Sequence, residues 1–155
     1  MCGLDDSVVK ALLGFHGVTG CDTVSQFSGY GKKTAWKTFL KHPQLLEELG
    51  KMDVSDKISH DIQQFVIKMY APSSAVSNIN DLRAKLFHQG KVPQKLPPSE
   101  DTLKQHVLRA NYQTRVWQLV VEPIPTLLTP ELCGWTIHEN GFKPVLPTIE
   151  PLPKD

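Results

Sequence analysis

A short run of glycines and lysines, GYGKK, has the residue types and spacing that bind an anion. Glycine has no Cβ, so a phosphate can approach the backbone closely at Gly29 and Gly31. The residues that follow predict a helix, and the first amides of a helix lack internal partners and lie at the positive end of its dipole. The nucleic-acid-binding residues that we predict are Gly29, Gly31, Lys32, Lys33 and Lys37.

Backbone amides and lysine side chains contact phosphate without reading the identity of a base. The run therefore predicts a sequence-independent contact with a nucleic-acid backbone, whose affinity depends on salt. An ordinary helical turn with solvated lysines has the same sequence pattern, and the sequence alone leaves both interpretations open. Lys104, Arg109 and Arg115 would extend the basic surface if their helix packs beside the turn.

Asp22 is the candidate metal ligand, because it follows Gly20-Cys21 just ahead of the glycine-rich run. A lone carboxylate cannot hold a pair of divalent cations, so we expect Mg²⁺ at Asp22 only with ligands added from elsewhere. The alternative is a helix cap or an Asx-turn after Gly20. The three cysteines are widely spaced, which indicates reduced thiols rather than a disulfide scaffold or a zinc site.

The elements that position these residues are predicted to be helical. Apolar periodicity predicts helices over 5–15, 32–42, 43–50, 54–71, 78–90 and from Ser99 or Glu100 to 121. Ser55 is the expected cap of the helix over 54–71. We expect Gly14, Gly17 and Gly20 to end the first helix.

The segment after 121 differs in composition, since it contains seven of the 12 prolines. Proline lacks a backbone donor and prevents long helices, so an extended arm is predicted over 122–155 after a helical domain over 1–121. A small β-hairpin can form across Asn140-Gly141, with Pro144 on an edge strand. This arm is also the candidate docking segment for a protein partner.

Composition sets the class of protein. A chain of 155 residues with 40% hydrophobic residues and a net charge of +1 can form one domain with a core, and any nucleic-acid binding must come from local charge. The sequence predicts no membrane span and no secretory signal, so we expect a nuclear or cytoplasmic protein. The predicted fold class is mostly α, with five to six helices, a helix-hairpin-helix-like element over 5–42 and the proline-rich arm.

The segment 12–40 resembles the helix-hairpin-helix region of flap-endonuclease (XPG-like) nucleases of the PIN fold. Those enzymes have a Gly-(Cys/Ser)-Asp-Tyr element and then a Gly-x-Gly-(Pro)-Lys-(Lys/Arg)-Ala turn; the counterparts here are 20–23 and 29–35, with Thr23 in place of the Tyr. The resemblance implies that Asp22 matches the last metal-binding carboxylate. It also implies that the glycine-rich turn grips duplex DNA and holds a monovalent cation.

Nearly the whole chain also resembles animal proteins of mobile-element origin. Those proteins have the pattern Phe-His-(Ala/Gly)-x-Thr-Gly-Cys-Asp-Thr-x-Ser, whose counterpart here is 15–25, and a later Ala-Asn-Tyr-Gln, whose counterpart here is 110–113. Two-metal hydrolysis requires several converging carboxylates, and only Asp5 and Asp6 precede Asp22. We therefore expect a non-catalytic, sequence-independent DNA-backbone-binding remnant of a flap-endonuclease-like protein. The alternatives are a protein-interaction or structural helical module, and a part of a metal-dependent nuclease that another chain completes.

Overall fold

A computed structural model of the chain describes residues 4–147. The five α-helices within these residues are α1 (Asp6–Val18), α2 (Lys32–Lys41), α3 (Asp56–Tyr70), α4 (Ile79–His88) and α5 (Glu100–Gln118). Short 3₁₀ turns lie at Pro43–Leu46, Pro93–Lys95 and Pro130–Cys133, and two strands follow, β1 (Trp135–His138) and β2 (Gly141–Pro144). The prediction of a mostly α fold with a small β-hairpin is confirmed. None of the described helices combines the length and the apolar character needed to cross a bilayer.

Four of the five helices begin at a residue whose side chain accepts a hydrogen bond from a first-turn amide. These capping residues are Asp5, Ser55, Asn78 and Ser99. The cap predicted at Ser55 is confirmed, at 3.3 Å from the amide of Ile58. Helix α2 differs, because its N-cap is Gly31 and has no side chain that could accept. Its first amides are therefore left without the partner that the other helices provide.

Helix α1 is longer than predicted, because Gly14 and Gly17 lie inside it and do not end it. A Cβ on Gly14 would lie 2.7 Å from the carbonyl oxygen of Leu46, and one on Gly17 would lie 2.8 Å from Thr114 Oγ1. These glycines allow α1 to approach its neighbours closely, so the prediction that they break the helix is wrong. Gly20, with a φ of 104°, does lie in the turn beyond it.

The core is formed where α1, α2, α3 and α5 meet. Phe15 of α1 stacks on Phe39 of α2 with ring centroids 4.6 Å apart, and Phe65 of α3 and Val107 of α5 are also buried. This packing holds α2 along one side, so its N-terminal turn stays at the surface. The segment 43–50, predicted as a helix, forms only the 3₁₀ turn at Pro43–Leu46.

The described part of the arm, up to residue 147, packs against α5 through the turn before the hairpin. Arg109 Nη1 donates to the carbonyl oxygen of Gly134 at 3.2 Å and to that of Val145 at 3.4 Å. In the hairpin His138 pairs with Gly141, and the positive φ of 117° lies at Gly141. The turn therefore sits one residue before the predicted Asn-Gly dipeptide. Residues 148–155 of the predicted arm, and Cys2, lie outside the described residues.

Candidate nucleic-acid interface

The glycine-rich run forms a tight turn between α1 and α2. The amide of Tyr30 donates to the carbonyl oxygen of Phe27 at 3.1 Å, and these two residues form an isolated β-bridge. Gly29 has a φ of 76°, a conformation that side-chain-bearing residues rarely adopt. The chain therefore reverses here and enters α2 directly through Gly31.

Contacts from other parts of the chain fix this turn. Tyr70 of α3 donates its hydroxyl to the carbonyl oxygen of Ser28 at 3.2 Å, and its ring packs on Tyr30 with centroids 4.0 Å apart. Burial raises the pKa of Tyr70, so its hydroxyl stays protonated and remains a donor. Lys91 Nζ donates to the Tyr30 hydroxyl at 3.1 Å, and Ser28 Oγ donates to the carbonyl oxygen of Gln94. The turn is thus held in one conformation before any ligand arrives.

The backbone N–H groups of Gly31, Lys32 and Lys33 form what we call the amide cradle. None of the three has a hydrogen-bond acceptor among residues 4–147, whereas the next amide, that of Thr34, donates to the carbonyl oxygen of Gly31 at 3.0 Å. All three residues are exposed. A Cβ built on Gly29 or Gly31 would meet no atom within 4 Å, so the space beside the turn is open.

The sequence predicts that the side chain of Lys32 binds nucleic acid, but in the structure it bonds to the protein itself. Its ammonium donates to the carbonyl oxygens of His16 and Gly20 and to Thr19 Oγ1, at 3.1 Å for His16 and 3.0 Å for Thr19. An ammonium has three N–H donors, so all three are engaged at the C-terminal end of α1, where a cation is favourable. Burial lowers the pKa of Lys32, and the backbone amide of this residue still belongs to the cradle.

Lys33 and Lys37 are the side chains whose charge remains available beside the cradle. Both are exposed, and they lie one helical turn apart on α2. The ion pairs within the described part of the chain lie on other segments, between Lys51 and Glu48 and between Lys57 and Asp61. The positive charge of the two α2 lysines is therefore not neutralised by a carboxylate of that region.

Asp22 lies in the loop after α1 and is exposed. It faces a small cavity of about 180 Å³ together with His16, Cys21 and Gln113. Burial is the main cause that lowers the pKa of His16, Lys32 lowers it further, and Asp22 acts in the opposite direction. Residues 4–147 contain no group of three or more His, Cys, Asp or Glu side chains placed to hold a metal ion. Asp22 thus belongs to no such group within this region.

The carbonyl groups of the turn are relevant to the monovalent cation that the resemblance implies. Those of Phe27, Ser28 and Gly31 accept hydrogen bonds from Tyr30, Tyr70 and the first turn of α2. These three oxygens are thus already engaged, while the amides of the cradle are not. The carbonyl oxygen of Gly29 accepts no hydrogen bond within residues 4–147, so the turn offers an acceptor for a cation as well as amide donors for an anion.

Two of the three basic residues of α5 do not extend the cradle as the sequence suggested. Arg109 is buried and bonds to the arm. Arg115 donates through Nε to the carbonyl oxygen of Thr126 at 3.1 Å and through Nη1 to that of Gly50 at 3.2 Å. Both guanidinium groups therefore hold the fold together, and of the three residues only Lys104 is exposed.

The sequence correctly places the cradle and Lys37 on one helix. It does not indicate Lys68 of α3, which lines the same cavity as Lys37. The only sequence signal was that Lys68 falls on the polar side of a periodic helix. The searches for related proteins give no further guidance: no family model, no curated protein and no solved structure matches this chain.

Proposed function

We propose that this protein binds the phosphate backbone of nucleic acid, DNA in the first instance, without sequence preference and without catalysing a reaction. The observation that supports the proposal is the amide cradle. Three consecutive N–H groups of exposed residues, which have no acceptor within residues 4–147, lie at the start of a helix that no side chain caps. Two lysines with no carboxylate partner in that region, Lys33 and Lys37, lie beside them.

The physical basis is the electrostatics of a helix N-terminus. Aligned peptide dipoles give this end about half a positive charge, and its first N–H groups point along the axis toward an incoming anion. The turn that carries them is fixed by Tyr70, Lys91 and Gln94. Little conformational entropy is therefore lost when the phosphate binds, which favours affinity.

Absence of base selectivity follows from the chemistry of the contacts. Backbone amides and ammonium groups recognise phosphate oxygens, which are the same at every nucleotide. The non-catalytic part of the proposal is argued from Asp22, which belongs to no group of three or more metal-ligating side chains within residues 4–147, whereas a pair of metal ions needs several converging carboxylates.

The test is fluorescence anisotropy of a labelled DNA duplex titrated with the protein over a series of salt concentrations. Each phosphate contact contributes about −0.9 to the slope of log affinity against log salt, so the cradle with Lys33 and Lys37 predicts a slope of about −2 to −3. Lys33→Met should make the slope shallower by about one contact. The matched control is Lys10→Met, which removes an exposed lysine from α1 and should leave the slope unchanged.

Two results would overturn the proposal. The first is duplex binding that is absent, or that does not weaken as salt rises. The second is binding that Lys33→Met and Lys10→Met weaken equally, because contact would then depend on overall charge rather than on the turn.

A protein-interaction role is the second candidate, and the β-hairpin favours it. Ile137 and Phe142 are cross-strand partners, and their exposed fractions are 63% and 53%. An exposed apolar pair of this kind is typical of a contact surface. Ile137→Asp together with Phe142→Asp should abolish any concentration-dependent association seen by sedimentation and leave duplex binding intact. A chain that sediments as a monomer and yields no partner in crosslinking would count against this role.

A further inference from the structure

A basic groove lies between α2 and the C-terminal end of α3. Its volume is about 360 Å³. The polar residues that line it are Thr34, Lys37, Thr38, Lys41, His42 and Lys68. We call this the α2–α3 groove; Met69 and Pro72 complete its wall.

The charged side chains that line the groove are all positive. Three of its lining residues are lysines, and none is an aspartate or glutamate. Neither ion pair found within residues 4–147 involves Lys37, Lys41 or Lys68. Like charges repel one another, so an anion bound in the groove would relieve the repulsion among these lysines, of which Lys68 is partly buried.

The groove continues directly from the amide cradle. The cradle ends at Lys33, and the next residue, Thr34, is the first one that lines the groove. Lys33, Lys37 and Lys41 recur every four residues along α2, so each step advances about 6 Å along the helix axis. The two features therefore form one basic track that runs the length of α2, with Lys68 of α3 on its far side.

We infer that the α2–α3 groove binds further phosphates of the same nucleic-acid strand whose first phosphate occupies the amide cradle. This inference rests on the proposed function and adds a direction to it: the strand follows α2 from its N-terminal to its C-terminal end. Lys41 and Lys68 contact the later phosphates, and the hydroxyls of Thr34 and Thr38 supply neutral donors.

His42 provides a built-in reporter of occupancy. Burial is the largest cause that lowers its pKa, and the nearby charges of Lys68 and Lys41 lower the pKa further. Lys37 also lines the groove, and no acidic side chain does, so an arriving phosphate would be the first negative charge near the ring. The pKa of His42 should therefore rise when a DNA duplex binds.

The experiment measures the salt slope of duplex binding for the full chain and for Lys41→Met and Lys68→Met. The expected result is a slope shallower by about 0.9 for each variant, since each removes one phosphate contact. Lys10→Met is again the matched control, because it removes an exposed lysine from α1, which contributes no residue to the groove. Lys41 is exposed, so its variant should fold normally even if Lys68→Met does not.

The outcomes separate the inference from the proposed function. If the unaltered protein binds with a steep slope and Lys33→Met reduces it, but Lys41→Met behaves like Lys10→Met, the groove is not part of the interface and only the inference fails. If the unaltered protein shows no salt-dependent binding, the proposed function itself fails. A His42 pKa, followed by NMR, that stays constant on duplex addition would likewise overturn the inference.

Discussion

Adjacent lysines at the start of α2 should have opposite roles, and replacing each with methionine separates them. Lys32→Met removes an ammonium that bonds to the carbonyl oxygens of His16 and Gly20 and to Thr19 Oγ1. Lys33→Met removes an exposed ammonium that makes no hydrogen bond or ion pair within residues 4–147. Methionine keeps the length and most of the apolar stem of lysine, so packing changes little in either variant.

The expected loss of stability in Lys32→Met follows from the hydrogen bonds that its ammonium makes. A hydrogen bond to a charged group contributes about 1.5–3 kcal/mol net, and a cation at a helix C-terminus about 0.3–1 kcal/mol. Lys32 lies at the surface and holding its side chain in place costs up to about 2 kcal/mol of entropy, so the net loss should be about 1–2 kcal/mol. For a chain of this size about 1 kcal/mol corresponds to about 2–4 °C, so the melting temperature should fall by about 2–8 °C.

The assay is thermal unfolding by circular dichroism, run beside duplex binding on the same preparations. Lys33→Met should change the free energy of unfolding by no more than about 0.5 kcal/mol, as surface substitutions do, while weakening binding. Lys32→Met should instead lower the free energy of unfolding and leave duplex binding unchanged, when binding is measured at a temperature where the fold is intact. Equal stability of the two variants, or a larger loss for Lys33→Met, would refute the assignment of Lys32 to the end of α1.

Three further predictions concern the scaffold. Gly14→Ala should destabilise the protein by about 1–2 kcal/mol despite the better helix propensity of alanine, because the new Cβ meets the carbonyl oxygen of Leu46 at 2.7 Å; a stabilised variant in urea unfolding would contradict the close approach. Burial lowers the pKa of His106 to about 4, so the unfolded state binds the proton more readily and stability should fall by about 2 kcal/mol as pH drops from about 7 to 5; a His106→Gln variant with the same pH dependence would show that another group is responsible. Tyr70→Phe removes the hydrogen bond to Ser28 and should cost about 1 kcal/mol and weaken duplex binding, whereas unchanged binding would mean that the turn needs no such support.

Local signals in the sequence were sufficient to predict the helices and the residues at which most of them begin. Ser55 and Ser99 are side chains that cap first-turn amides, and both lie where apolar periodicity begins. Such signals depend on residues within one turn of each other, so they can be read without knowing the fold. The same is true of the cradle, which needs only Gly31 and the helix that follows it.

What could not be predicted from the sequence depends on which elements pack together. Gly14 and Gly17 look like helix breakers until α1 is seen to approach Leu46 and Thr114 closely. Lys32 looks as free as its neighbour until the end of α1 is placed beneath it. In each case a contact between residues far apart in the chain overrides a correct local rule.

Packing also decides which residues form the basic surface. Arg109 and Arg115 were the sequence candidates for extending it, yet their guanidinium groups bond to carbonyl oxygens of the arm and of the loop before α3. Lys68 had no distinguishing feature and lies at the groove only because α3 packs against α2. A sequence shows how many lysine and arginine side chains a protein has, whereas the packing of its helices decides which of them can contact a ligand.

The amide proton shifts of Gly31, Lys32 and Lys33, recorded by heteronuclear NMR as a DNA duplex is added, test the central claim most directly. A phosphate in the cradle should move these three amide protons downfield, and Gly31→Ser should reduce the shift of the Lys33 amide, because a serine hydroxyl at the N-cap can accept from that amide without lowering stability. Duplex binding that leaves all three resonances in place would contradict the account.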